Sequence, residues 1–145
     1  MDTLFIKGNI PSSKNSKINT TKGSFMSKTV KNFLSSYGIQ KYSVREKTVT
    51  GYARRPNTFM LYKKPFLELV GNEKYPLKIG FHFIRGTKHL ADFHNLVQIL
   101  ADMFVAHDFI EDDNMDYFLP FPLEIDGLWY SYDKDNPGVI IKILK

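Results

Sequence analysis

The sequence predicts an α+β fold, a small mixed sheet packed by two main helices, and three observations carry that expectation. Leu77, Ile79, Phe81 and Phe83 alternate with other residues in the period-two pattern of a half-buried strand. Leu96, Ile99, Leu100, Met103 and Phe104 recur at helical spacing as one apolar stripe. Segments of these kinds follow one another as strand, helix, strands, helix, strands, which suits a mixed or mainly antiparallel sheet better than a regular strand–helix alternation.

The elements follow in order. Residues 3–7 (TLFIK) read as a first short strand, ended by Gly8 and Pro11. Residues 11–17 (PSSKNSK) are polar and basic and read as loop. Phe25 falls in a second short strand. Ser27 is the expected N-cap of a helix whose apolar positions are Val30, Phe33, Leu34 and Tyr37, and Gly38 should stop it. Residues 43–76 read as a longer connecting excursion, in which Arg54, Arg55, Lys63 and Lys64 interleave with Tyr52, Phe59, Tyr62 and Phe66. Such a mixture can bind phosphates and stack on bases. Docking of the aromatics on the core is the favoured reading, because large apolar rings are usually inside.

The strand through Phe83 leads into residues 85–89. A helix then starts at Asp92 or Phe93 and runs to about residue 106. After a turn comes the acidic run Glu111-Asp112-Asp113. Late strands are expected within 117–121, 128–132 and 139–144, the last two separated by the turn signal Asp135-Asn136-Pro137-Gly138.

A chain of 145 residues with 43% hydrophobic and 24% charged residues reads as a single domain, 1–145, with its own core. It has no cysteine, which excludes disulfides and thiolate metal ligands and suits a reducing compartment. Residues 1–15 have no apolar h-region and no run is long enough to span a bilayer, so the expected location is cytoplasmic, with no membrane association. The charge is divided unevenly. Residues 1–89 hold 17 Lys/Arg against 4 Asp/Glu, while residues 90–145 hold 3 against 11. A basic field beside a carboxylate cluster suits either a metal-dependent enzyme acting on a polyanion or an ordinary surface kept soluble by lysines.

The chemistry-bearing stretch is Asp92-Phe93-His94-Asn95-Leu96-Val97-Gln98, then Asp102, then Glu111-Asp112-Asp113. Hard cations such as Mg²⁺ take carboxylate oxygens from separate segments. Asp92 and Asp113 flank a helix about 20 Å long, so they meet only if the chain after the helix doubles back along it. Each residue also has a plainer reading. Asp92 can simply cap the helix, Glu111-Asp112-Asp113 can be a solvated turn, His94 a surface residue, and Asp102 an outward or paired carboxylate.

The pattern Asp-x-Asp-Asn-Leu-x-Lys, then a helical Asp, then an Asp-Asp pair, is the signature of RusA-type Holliday junction resolvases, and these residues resemble it without a gap in spacing. Ile10-Pro11-Ser12-Ser13-Lys14-Asn15 resembles that family's N-terminal Pro-Pro-Ser-x-Asn element, and the helix over 30–42 and the strand over 77–84 fall where the family has them. The resemblance covers most of the chain apart from 43–76. It implies a RusA-like homodimer that binds four-way DNA junctions and cuts opposing strands with Mg²⁺ or Mn²⁺, in recombination and repair. It also implies Asp92 and Asp113 as metal carboxylates and Asp112 as the first of the Asp-Asp pair. DNA contacts are expected from Lys14, Asn15, Lys17 and Lys28, with Arg85 and Lys88 at the groove's edge.

Two positions depart from the family pattern. His94 stands where a metal-binding aspartate is expected, and Gln98 where the catalytic lysine is expected. Imidazole in place of a carboxylate shifts preference toward softer ions such as Mn²⁺. Gln98 supplies no positive charge to a developing phosphorane. Glu111 or Asp116 could supply the missing carboxylate, and Lys88 or Arg85 the missing cation. Three readings follow: an endonuclease whose catalytic set is Asp92, Asp113, His94 and Gln98; a catalytically weakened branched-DNA-binding protein on the same scaffold; and an unrelated α+β interaction domain. The first requires Asp92 and Asp113 to share one cation, with His94 on the same rim.

Overall fold

A computed structural model describes residues 2–12, 17–20, 23–26, 28–39 and 57–145. Along the chain run β1 (Leu4–Lys7), β2 (Lys17–Thr20), β3 (Gly23–Met26) and α1 (Lys28–Ser36). A 3-10 turn (Thr58–Tyr62) follows and leads into α2 (Lys63–Val70). Next come β4 (Leu77–Arg85), α3 (Phe93–Ala106), β5 (Phe118–Pro122), β6 (Ser131–Tyr132) and β7 (Gly138–Leu144).

Five of the strands form one mixed sheet in the order β1-β7-β4-β5, with β6 also paired to β4. β7 lies antiparallel to both β1 and β4, whereas β5 and β6 run parallel to β4. β5 covers the first half of β4, from Leu77 to Phe81, and β6 covers its end at Ile84 and Arg85. β2 and β3 form a separate antiparallel hairpin. The mixed α+β character expected from the sequence is therefore present.

Strand alternation gives the sheet one strongly apolar face. Leu4 pairs with Ile141 and Ile6 with Val139, and the same two β7 residues pair with Phe81 and Phe83 of β4. All six are buried. The helices cover this face: the ring of Phe93, opening α3, meets Phe81 and Phe83 edge-on at 6.4 and 5.9 Å. α3 buries Leu96, Val97, Ile99, Leu100, Ala101, Met103 and Phe104, a wider stripe than the spacing alone implied. α1 buries Val30, Phe33 and Leu34 and ends at Gly38, whose φ of +79° only glycine adopts without strain. Its expected cap, Ser27, lies outside the described residues.

The excursion contributes more than the sequence reading expected. Two main helices were expected and, among the described residues, there are three, because α2 forms within 57–70. Asn57 accepts a bond from the Phe59 N–H at 3.0 Å and so caps the 3-10 turn, while Pro65 sits in the first turn of α2, where a missing N–H is tolerated. Lys63, Lys64 and Pro65 obscure the helical period in the sequence. Phe59 and Phe66 are fully buried, and α2 packs on β1 and β7. The aromatics of this part of the excursion thus dock on the core, as favoured; Tyr52, Arg54 and Arg55 lie outside the described residues. β2 was also missed, since Lys17 was read as loop.

Candidate nucleic-acid interface

The chemistry-bearing residues fall at two ends of one strand–helix–strand unit. β4 runs to Arg85, the chain turns through 86–92, and α3 returns along the sheet. β5 then starts at Phe118, which pairs with Leu77 at the beginning of β4. The strand that follows Asp113 therefore begins five residues after it, at the end of β4 away from Asp92.

Asp92 occupies the N-cap of α3. Its carbonyl accepts from Asn95 N at 3.1 Å and Leu96 N at 3.3 Å, yet its side chain makes no capping bond to the helix. The carboxylate instead accepts from Asn95 Nδ2 at 3.4 Å. The plain capping reading is not what the structure contains, and the carboxylate is left at the rim of a cavity.

Asp112 and Asp113 follow the other end of α3. Asp112 is engaged in its own turn: Oδ1 accepts from Asp113 N at 2.7 Å and Oδ2 from Asn114 Nδ2 at 3.2 Å. Gln98 Nε2 donates to Asp102 Oδ1 at 2.9 Å. Burial raises the Asp102 carboxyl above its usual value, the Gln98 bond opposes this, and the nearby Asp113 charge adds to the rise. Asp113 thus neighbours Asp102, and Asp102 lies ten residues, or about 15 Å of helix, beyond Asp92. Crowding of like charge continues into the turn, where Glu111 first, then Asp116 and Asp112, raise the Tyr117 phenol. His94 is exposed on α3. Among the described residues no group of three or more His, Asp or Glu side chains is placed to hold a metal ion.

What gathers instead is a cavity of about 1000 Å³ at the C-terminal end of β4, beside the start of α3. Its lining includes Ser12, Arg85, Lys88, His89, Asp92, Asn95 and the aromatics Trp129, Tyr130 and Tyr132. Crevices beyond the carboxyl ends of parallel strands are a general place for ligands. Local bonds build this one. Gly86 N donates to Asn9 Oδ1 at 2.9 Å and Arg85 Nη1 to the Ile10 carbonyl, so residues 9–12 are docked against the end of β4. The N-terminal element and the Asp92 motif, far apart in sequence, therefore share one rim.

The electrostatics favour an anion there. Arg85 is half-buried, which pushes its pKa below the ordinary guanidinium value, and its Nε has no hydrogen-bond partner among the described residues. Lys88 Nζ lies 5.1 Å from the centroid of the Tyr132 ring. Among the described residues the one ion pair is Lys145–Glu73, far from this rim in sequence and exposed. Arg85 and Lys88 are thus not neutralised by contact with any described carboxylate. Of the other expected DNA contacts, Lys28 is exposed at the start of α1 and outside the cavity lining, Lys17 opens β2, and Lys14 and Asn15 lie outside the described residues.

The strand expected within 128–132 is present, but the aromatic wall beside it escaped the sequence reading. Only Ser131 and Tyr132 are strand. Residues 125–128 form a two-residue hairpin: Ile125 N donates to Leu128 O at 2.8 Å and Leu128 N to Ile125 O at 2.9 Å. Asp126 and Gly127, with φ of +52° and +80°, supply its turn. Buried His82 holds both ends of this excursion. Its Nδ1–H donates to the Leu123 carbonyl at 2.8 Å, and its Nε2 then accepts from the Ser131 hydroxyl at 2.6 Å. The signal that would have revealed the wall was the Asp-Gly pair followed at once by Leu-Trp-Tyr-Ser-Tyr.

No described helix is long and apolar enough to cross a membrane. No protein-family model matches this chain, and no curated protein matches its sequence.

Proposed function

We propose that this protein engages branched DNA, taking hold of four-way junctions as a homodimer on a RusA-like scaffold. The observation that carries the reading is the open cavity in which un-neutralised Arg85 and Lys88 stand beside the Asp92–Leu96 motif and the docked residues 9–12. Phosphate binding by such cations releases counterions and supplies affinity without sequence preference. A twofold dimer would offer two equivalent cavities to the two equivalent strands of a junction.

Cleavage is a second reading, favoured by the Asp92 carboxylate that the helix does not use as a cap. A divalent cation, Mg²⁺ or Mn²⁺, would supply polarisation of the scissile phosphate and activation of water. Asp92 is the residue of this chain best placed to contribute to holding one at the cavity. His94 and Gln98, in place of a carboxylate and a lysine, weaken that chemistry, and the separation of Asp113 from Asp92 weakens it further. Binding without cutting is therefore the expected behaviour.

The test is a synthetic four-way junction against a linear duplex of equal length, with and without Mg²⁺ or Mn²⁺. The expected result is preferential junction binding that falls steeply with added salt, without nicking. Nicking that Asp92→Asn abolishes while binding survives would establish the second reading. Equal affinity for junction and duplex, or none for either, would overturn the proposal.

A further inference from the structure

We infer that the hairpin excursion between β5 and β6 is a stacking platform, and that the cavity it walls takes an unpaired nucleotide. The inference deepens the branched-DNA reading and rests on it for the kind of DNA offered in the cell.

Three facts converge on it. Trp129, Tyr130 and Tyr132 are 57%, 62% and 47% exposed, although rings of this size are ordinarily covered. All three line the same cavity as Arg85, Lys88 and His89, and among the described residues Asp92 is the one carboxylate in that lining. The platform is also held in place. His82 bridges Leu123 and Ser131, and Asp133 N donates to the Arg85 carbonyl at 2.9 Å, so both stems are fastened to β4.

Exposed flat rings beside cations are the chemistry that recognises a nucleotide: the ring stacks on the base face while the cation meets the phosphate. An intact duplex does not offer its base faces, since each is covered by the next pair. A recessed aromatic wall can be used only by a base out of the stack, in a single strand or at the opened centre of a junction. A volume of about 1000 Å³ leaves room for more than one such nucleotide. The positive lining disfavours a basic protein segment as occupant.

Trp129 is the chain's one tryptophan, so the wall reports on itself. The experiment titrates short oligothymidylate, a four-way junction and a linear duplex into the protein, reading tryptophan emission and, with labelled DNA, anisotropy. Oligothymidylate and the junction should bind and quench the emission, and the duplex should do neither at equal concentration. Trp129→Ala with Tyr130→Ala should lower oligothymidylate affinity by roughly tenfold per stacked base lost, whereas Trp129→Phe should keep most of it. Junction binding without oligothymidylate binding or quenching would overturn this inference and leave the branched-DNA reading standing. Oligothymidylate binding with quenching, but no preference for the junction, would do the reverse. Binding of neither overturns both. A concentration-dependent blue shift of emission without DNA would assign the wall to a second copy of the chain and overturn the inference.

Discussion

Phe59 offers the clearest measure of how far the excursion belongs to the core. Its ring is fully buried and meets Tyr37, Tyr62, Phe104, His107 and Phe109 at centroid distances of 5.3, 5.8, 6.3, 4.9 and 5.3 Å. Replacing a buried phenylalanine with alanine costs about 3–5 kcal/mol in lost transfer energy and cavity. Five ring neighbours, each worth up to about 1 kcal/mol beyond area burial, place Phe59→Ala toward the upper end. For a chain of this length that lowers Tm by roughly 10–20 °C. Urea unfolding followed by circular dichroism reads the change directly. Leu61→Ala, two residues away at a side chain 74% exposed, is the internal control and should stay within about 0.5 kcal/mol of the parent. A loss below about 1 kcal/mol for Phe59→Ala would refute the reasoning, because it would mean that 57–62 rests on the domain without completing it. DNA binding by the folded variant should be unchanged, since these aromatics belong to the core and those of the cavity wall do not.

Two further outcomes follow from the same geometry. Burial holds the His107 imidazole below its ordinary value of 6.5, the Lys63 charge assisting, against the Met103 carbonyl bond and Asp108. Its contribution to stability is therefore intact above about pH 6.5 and is lost as pH falls from there through the folded-state value, because the unfolded chain takes the proton first. Urea midpoints from pH 8 down to pH 5 should decline more steeply for the parent than for His107→Gln, and parallel declines would dismiss the argument. Asp92→Asn should raise oligothymidylate affinity by roughly two- to threefold, by removing the cavity's carboxylate from the path of the phosphates. Weaker binding on titration would show that Asp92 does not face the bound strand.

Local patterns were enough for most of the elements. The alternation through Leu77, Ile79, Phe81 and Phe83, the stripe from Leu96 to Phe104, and the stop at Gly38 all depend on side-chain direction over a few residues, which the backbone period determines by itself. α2 escaped because lysines and a proline mask the period where tertiary contacts, such as Phe66 in the core, supply the stability, and β2 because its residues are mostly polar. The motif from Asp92 to Asp113 was legible as spacing, but spacing along a chain does not say which end of a sheet a residue reaches. The parallel pairing of β5 with the start of β4 decided that, starting the strand after Asp113 at the end of the sheet away from Asp92. The cavity is likewise a tertiary product: residues 9–12, the turn after Arg85 and the hairpin at Asp126-Gly127 come from three distant parts of the sequence. They share a rim because a central strand gathers its neighbours by backbone hydrogen bonds, which carry no mark in the side chains that end up facing one another.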